Sequence, residues 1–158
     1  MDTSPRVAAR SVRPPASLRV GLAVVGWFSL VSALVGFVLG VFLGGAGVPL
    51  QWLDGTPFDS FVWPGLVLGV IVGGSQALAV VAQHRRLRVA WGLHAAAGLV
   101  MMIWIFVEIA LMLVWSPLQG VYFATGLVQT VLAVLALGAW PVPFLARDLP
   151  GDADGADG

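Results

Sequence analysis

Cysteine and lysine are both missing from this chain. Without cysteine there are no disulfides, no thiolate metal ligands and no cysteine-based redox chemistry. Without lysine, all eight basic residues are arginines, in a chain rich in alanine, valine, glycine and leucine. This composition is typical of a GC-rich bacterial genome, so we expect a bacterial protein.

Charged side chains are also scarce, at 10% of the 158 residues, whereas roughly 25% is usual in a soluble domain. Hydrophobic residues account for 59% of the chain, and the mean hydropathy is +0.95. Because a soluble domain of this length does not need so much apolar surface, the composition indicates a membrane protein.

Four apolar segments are each near or above the roughly 20 residues that a helix needs to cross a bilayer. They cover residues 20–45, 63–82, 90–115 and 118–140. The predicted fold is all-α, an antiparallel up-down bundle of four transmembrane helices within residues 19–145. Residues 1–18 are predicted to form a disordered cytoplasmic arm, and residues 146–158 a disordered acidic tail.

The arginines lie on one side of this predicted arrangement. The connections 46–62 and 116–117 contain no basic residue, so the positive-inside rule places both termini in the cytoplasm. The expected location is the bacterial cytoplasmic membrane. Three arginines between the second and third segments are expected to contact anionic lipid headgroups, and they are too few to indicate nucleic-acid binding: Arg85, Arg86 and Arg88.

Glycines recur at every fourth position of the first two segments, a spacing that lets helix backbones approach closely in lipid. One stripe consists of Gly36, Gly40 and Gly44, and the other of Gly65, Gly69 and Gly73. Antiparallel packing predicts the pairs Gly44–Gly65, Gly40–Gly69 and Gly36–Gly73. We expect this glycine zipper to lie within one chain; the alternatives are a homodimer interface or a groove that admits lipid.

A single carboxylate, Glu108, lies inside the third segment, in the sequence "MMIWIFVEIALM". Its helical face is expected to carry Met101, Trp104 and Met112. Polar side chains near its depth are predicted to be Tyr122, Thr125 and Gln129 of the fourth segment and Gln76 of the second. No arginine lies at this depth, which excludes an ion pair within the chain. We expect Glu108 to hold a proton unless a cation or water reaches it.

Two roles for Glu108 stay open. Ionisable residues inside a membrane usually mark a pathway, which favours a proton or cation site. The candidate members of that site are Glu108, Tyr122, Thr125, Gln129 and Gln76. Alternatively, a neutral Glu108 donates a hydrogen bond to Thr125 or Gln129 and serves only to hold the helices together.

No other residues form a pattern that indicates chemistry. His84 and His94 are too few for a haem or zinc site, and we interpret them as interfacial histidines beside the arginine loop. Asp54 and Asp59 are interpreted as solvated loop charges. The chain has no recognisable nucleophile–base pair, phosphate loop or metal-ligand spacing, so we predict no metal, no cofactor and no enzymatic activity.

Three stretches resemble a set of small four-span bacterial membrane proteins of unassigned function. They are "GTPFDSFVWPGLVLGVIVGGSQALA", "WIFVEIALM" and "SPLQGVYFATGLVQ". The matching positions are Pro57, Phe58, Pro64, Gly65, Trp104, Glu108, Leu118, Gln119 and Tyr122. This resemblance covers roughly residues 50–135; it implies four helices and nothing about activity.

The sequence therefore predicts a small multi-pass membrane protein that is not an enzyme. The first hypothesis is that it acts through helix packing with itself, with lipid or with a partner membrane protein. The alternative is a small proton- or cation-coupled transporter that uses Glu108. The expected partners are the bilayer and either a second copy or another membrane protein, but not nucleic acid.

Overall fold

The computed structural model describes residues 14–138, and four long helices account for most of this range. Helix α1 covers Ala16–Phe42, α2 Val62–His84, α3 Ala90–Met112 and α4 Pro117–Ala136. All four are long and apolar enough to cross a membrane, and residues 14–138 contain no β-strand. The prediction of an all-helical chain with four candidate spans is confirmed. Residues 1–13 of the predicted arm and the predicted tail lie outside the described residues.

Helix α1 begins earlier than the sequence predicts. Pro15 is its N-cap residue, and the helix starts at Ala16 as soon as the prolines have ended. Leu18 then packs beside Leu22, whose side chain is completely buried. Placing residues 16–18 in a disordered arm was therefore wrong, because this turn contributes to the core.

The first glycine stripe is shorter than predicted, because α1 ends at Phe42. Gly44, Gly45 and Gly47 have φ angles of 55°, 88° and 91°, the left-handed region that glycine adopts without a Cβ clash. Gly44 therefore lies in the connection, and no other residue approaches the position of its missing Cβ within 4 Å. Its assignment to the helix-packing stripe was wrong.

The backbones of α1 and α2 do approach closely, at Gly40 and Gly65. A Cβ on Gly40 would lie 3.0 Å from the Cα of Gly65 and 2.9 Å from the carbonyl oxygen of Phe61. Both positions therefore require glycine for this contact. The register of this contact is one helical turn away from the prediction.

The other glycines of the two stripes contact larger residues and not each other. These contacts join Gly36 to Leu68, Gly69 to Phe37, and Gly73 to Ala33. The predicted pairs Gly44–Gly65, Gly40–Gly69 and Gly36–Gly73 were wrong. The early end of α1 moves the pairing by four residues, so bulky side chains fall opposite most of the glycines.

A four-residue connection joins α3 to α4, instead of the predicted two. Helix α3 ends at Met112 because Leu113 adopts a left-handed conformation with φ of 52°. Helix α4 then begins at Pro117, where a missing N–H is tolerated. Ser116 and Gln119 form a capping box, in which Oε1 of Gln119 accepts a hydrogen bond from the Ser116 backbone N–H at 2.8 Å.

Two further departures from a regular helix affect α2 and α4. Residues Leu68–Gly73 of α2 are wound as a π-helix, a wider turn that often occurs at functional sites. Helix α4 ends at Ala136, before the predicted residue 140, because Gly138 has a φ angle of 72°.

The helices pack in chain order, and α4 returns to contact α1. Helices α3 and α4 also pack closely along their length, and a Cβ on Gly126 would lie 2.8 Å from the carbonyl oxygen of Gly98. Arg19 lies near the start of α1, and Arg85, Arg86 and Arg88 lie between α2 and α3; we call this the basic end of the bundle. The connection between α1 and α2 contains Asp54 and Asp59, and we call that the acidic end.

Candidate functional site

Polar side chains from three helices form one hydrogen-bonded chain inside the bundle. We call it the glutamine–histidine chain; its members are Gln76 and Gln83 of α2, His94 of α3 and Gln129 of α4. Gln76, His94 and Gln129 are completely buried. Because a buried polar group without a partner is costly, the bonds of each member must be accounted for.

The amides of Gln76 and Gln129 face each other and exchange two hydrogen bonds. Nε2 of Gln76 donates to Oε1 of Gln129 at 3.1 Å, and Nε2 of Gln129 donates to Oε1 of Gln76 at 2.8 Å. Nε2 of Gln76 also donates to the carbonyl oxygen of Ala97 at 3.3 Å. Nε2 of Gln129 also contacts Nδ1 of His94 at 3.1 Å. All four amide N–H bonds of the pair are therefore used.

His94 continues the chain towards the basic end. Its Nε2 lies 2.7 Å from Oε1 of Gln83, and Nε2 of Gln83 donates to the carbonyl oxygen of Arg19 at 2.6 Å. The chain thus joins α1, α2, α3 and α4, with a backbone carbonyl at each end.

These two carbonyls fix the direction of every bond, because a carbonyl can only accept. Ala97 requires the amino group of Gln76, which leaves Oε1 of Gln76 to accept from Gln129. The second N–H of Gln129 then requires Nδ1 of His94 to accept, so the ring proton must be on Nε2. A second ring proton on Nδ1 would face the N–H of Gln129. The hydrogen bonds of the glutamine–histidine chain therefore require a neutral His94.

Helix α1 makes room for the imidazole with a glycine. A Cβ on Gly26 would lie 2.9 Å from Cε1 of His94 and 3.0 Å from Cγ2 of Val80. Both distances are shorter than ordinary van der Waals contact, so a larger residue at position 26 would displace the ring.

The sequence did not lead us to expect that His94 and Gln83 belong to a buried hydrogen-bonded chain. The interpretation of His94 as an interfacial residue was wrong, because its side chain is completely buried. One signal was present: Gln76 and Gln83 are seven residues apart and therefore share a helical face. His84, by contrast, lies at the basic end, as expected.

A separate cavity of about 310 Å³ lies between all four helices, nearer the acidic end, and Glu108 is in its wall. Its lining is mostly apolar and aromatic; the residues that bear on its chemistry are Ser32, Trp52, Trp104, Glu108, Gln119 and Tyr122. Met101 and Met112 also line it, in agreement with the helical face expected for Glu108. No arginine is among the lining residues.

The hydrogen bonds proposed between Glu108 and helix α4 are not formed. Thr125 donates to the carbonyl oxygen of Val121 on its own helix at 2.8 Å, and Gln129 is engaged with Gln76 and His94. Among the hydrogen bonds of residues 14–138, none involves Glu108. Its half-buried carboxyl group borders the cavity without a hydrogen-bond partner among residues 14–138.

The predicted candidate site therefore divides into two. Glu108 and Tyr122 line the cavity, whereas Gln76 and Gln129 belong to the glutamine–histidine chain. Thr125 belongs to neither. The structure does not bring the five residues together: Gln129 shares a helical face with Tyr122 but lies seven residues further along α4, towards the basic end.

One buried hydroxyl lies outside both groups. Ser29 of α1 is completely buried, and its Oγ is the only fully buried side-chain N or O atom in the described part of the chain that has no hydrogen-bond partner. It lies one turn beyond Gly26 on the same helix.

At the two ends of the bundle the charged residues are mostly exposed. Arg86 and Arg88 line a cleft together with Arg19, whereas Arg85 does not. Asp54 and Asp59 are exposed, as expected for solvated loop charges. Across residues 14–138, no three histidine, aspartate or glutamate side chains lie close enough to hold a metal ion.

Comparison with protein-family models, with characterised proteins and with solved structures finds no match to this chain. The class that the fold itself defines is that of a small helical protein with four candidate membrane spans.

Proposed function

We propose that this chain is a small, non-enzymatic transport protein that binds a small organic cation at Glu108 and exchanges it for a proton. One observation carries the proposal: a carboxyl group with no hydrogen-bond partner among residues 14–138 borders a cavity of about 310 Å³ between all four helices. A carboxyl group that only held helices together would be expected to hydrogen-bond to one of them. Exchange of one cation for one proton leaves the net charge of the cavity unchanged.

The chemistry of the wall favours an organic cation. The volume is near the lower limit of the roughly 300–1,000 Å³ that ligand pockets occupy, so the ligand is small. Trp52 and Trp104 present aromatic rings, which attract cations, and the remaining apolar wall suits alkyl groups. Glu108 supplies the only ionisable carboxylate among the lining residues.

The orientation that we propose follows from the charges. In an up-down bundle with both termini cytoplasmic, Arg19 and the arginines between α2 and α3 are cytoplasmic, as the positive-inside rule requires. The Glu108 cavity then lies nearer the outer face of the cytoplasmic membrane. Because the chain has no cysteine, single cysteines introduced at Thr56 and Arg85 can report this orientation by their labelling with an impermeant maleimide.

Helix packing with a second copy or a partner is the weaker candidate. The closest approach of the two glycine stripes, Gly40 against Gly65, is made inside the chain. The contacts of the remaining stripe glycines are also within the chain. Apart from Gly44, which is exposed in the connection after α1, the stripe glycines are therefore engaged within the bundle, which counts against the stripes as a surface for self-association.

The proposal is tested by titrating the purified protein with tetraethylammonium and measuring binding by calorimetry. We expect saturable binding, and we expect Glu108→Gln to weaken it tenfold or more, about 1.4 kcal/mol. The matched control is Asp54→Asn, which removes an exposed carboxylate near the same end but outside the cavity wall. No binding, or equal weakening by both variants, would overturn the proposal.

A further inference from the structure

A second concave site, of a different chemical character, lies at the basic end. It is a cleft of about 970 Å³ between the start of α1 and the connection from α2 to α3. We call it the arginine cleft. Its charged and aromatic lining residues are Arg19, Arg86, Arg88, His84, Trp27 and Trp91.

The positive charge of the arginine cleft has no counter-charge in the described chain. The acidic residues between residues 14 and 138 are Asp54, Asp59 and Glu108, and none of them lines the cleft. Three guanidinium groups that face one space repel one another unless an anion lies between them. Arginine is the side chain whose planar fork matches the oxygens of phosphate.

The backbone at Arg86 supports a role for its side chain. Helix α2 ends in a Schellman arrangement: the Leu87 N–H donates to the Ala82 carbonyl at 2.9 Å, and the Arg86 N–H donates to the Gln83 carbonyl at 3.0 Å. Arg86 occupies the left-handed position with φ of 55°, where glycine is usual. An arginine at a position that favours glycine is explained if its side chain binds something.

The apolar part of the cleft is suited to an amphiphile. Trp27 is 56% exposed and Val20 is 62% exposed on the surface of α1, and both line the cleft. Trp91 lines it from α3. An acyl chain could therefore lie along α1 while its headgroup reaches the arginines, and tryptophans commonly occupy this level of a membrane protein.

We propose that the arginine cleft binds the phosphate group of an anionic ligand through Arg19, Arg86 and Arg88. The phosphate can belong to an anionic phospholipid or to a soluble phosphate compound. Arg19 belongs to α1, and the other two arginines follow α2, so a bound phosphate links these two helices. The site is separate from the Glu108 cavity and does not depend on cation transport.

The test is a calorimetric titration of the full chain in a zwitterionic detergent at fixed salt. The probes are dihexanoyl phosphatidylglycerol, dihexanoyl phosphatidylcholine and inorganic phosphate. We expect phosphatidylglycerol to bind and phosphatidylcholine not to bind. Arg86→Gln is expected to lower the affinity at least tenfold, and Arg88→Gln and Arg19→Gln several-fold each. The backbone carbonyl of Arg19 remains, so its bond from Gln83 is kept.

Arg85→Gln is the matched control, because it removes the same charge from the neighbouring residue, which does not line the cleft. We expect it to change the affinity by less than twofold. Equal weakening by Arg85→Gln and Arg86→Gln would mean that only diffuse charge attracts the anion, and would overturn the site. Tight binding of inorganic phosphate that depends on the same three arginines would support the site and assign it a soluble ligand.

Arg86→Gly separates binding from folding. Glycine is favoured at a φ of 55°, so this variant should unfold at the same temperature as the original chain or higher, yet bind phosphatidylglycerol more weakly. A more stable variant with unchanged binding would remove Arg86 from the site. Failure of the unmodified chain to bind any phosphate probe would overturn the proposal as a whole.

Discussion

Two polar regions lie inside the same apolar bundle and differ in how their hydrogen bonds are met. In the glutamine–histidine chain, every amide N–H of Gln76 and Gln129 has an acceptor, and two backbone carbonyls fix the direction of the chain. In the Glu108 cavity, the carboxyl group has no partner from the described residues. The first region is complete without a ligand, whereas the second is not. We infer that the first holds the helices together and the second is left for a ligand.

The difference also lies in packing. A glycine at position 26 closes the bundle around His94. Around Glu108, by contrast, the early end of α1 and the π-helical turn of α2 lie beside a cavity of about 310 Å³. Polarity alone therefore does not identify a site in this bundle. The space beside the polar group is what distinguishes the two regions.

The largest effect on stability is expected when a member of the glutamine–histidine chain is removed. Gln129→Leu removes the partner of Gln76 and of His94 Nδ1 and leaves both buried. Because each stranded group costs about 1–3 kcal/mol, we expect the free energy of unfolding to fall by about 3 kcal/mol. The measurement is reversible unfolding in mixed micelles.

Thr125→Val, one turn away on α4, is the control, because Thr125 bonds only to its own helix. It should change stability by less than about 0.5 kcal/mol, as is usual for substitutions away from buried networks. Similar losses for the two variants would mean that the glutamine–histidine chain is not a special source of stability.

A smaller loss of stability is expected when every member of the glutamine–histidine chain is present but His94 is displaced. Gly26→Ala places a Cβ 2.9 Å from the imidazole, and overpacking of this kind costs roughly 1–3 kcal/mol. Gly74→Ala is the control, because no atom lies within 4 Å of its added Cβ. That variant should be unchanged or slightly more stable. In ¹⁵N spectra, Gly26→Ala should also alter the signals of His94, whose Nε2 carries the proton in the unmodified chain.

A substitution in the Glu108 cavity is expected to raise stability. Glu108→Met replaces an unpaired, half-buried carboxyl group by an apolar side chain of similar length. Since no hydrogen bond to residues 14–138 is lost, the free energy of unfolding should rise by about 1 kcal/mol. A loss of 2 kcal/mol or more, of the order expected for a buried group deprived of its partner, would show that Glu108 has a structural partner after all.

The smallest effect is expected at Ser29. Its buried Oγ has no hydrogen-bond partner, so Ser29→Ala removes an unsatisfied group and nothing else. Stability should be unchanged or increase by up to about 1 kcal/mol. A clear loss in the same unfolding assay would indicate an ordered water bound to this hydroxyl.

The four helices could be predicted from the sequence, because long apolar segments and the prolines that flank them determine where helices form. The residues on the same face as Glu108 were also predicted correctly, since helical periodicity fixes which side chains share a face. The pairing of glycines was not, because it depends on where α1 ends. Four left-handed residues after Phe42, including Ala46, set that end and shift the contact by one turn.

Whether a polar side chain near a helix end is buried or exposed was equally hard to predict. His94 is only four residues into α3 and ten residues after His84, yet one is completely buried and the other is exposed. Gly26 of α1 leaves the space that the His94 imidazole occupies, and no local pattern around His94 reveals this. The separation of Gln129 from Glu108 is one of position along the bundle: Gln129 lies seven residues beyond Tyr122 on the same face of α4, and of the two only Tyr122 lines the cavity.

The most direct test of this account measures the unfolding free energy of the original chain and of Glu108→Met, each with and without tetraethylammonium. A ligand that binds only the folded state at 100 times its dissociation constant stabilises it by about 2.7 kcal/mol. We predict that gain for the original chain and none for Glu108→Met. Equal stabilisation of both proteins, or of neither, would contradict the claim that the Glu108 cavity is the ligand site.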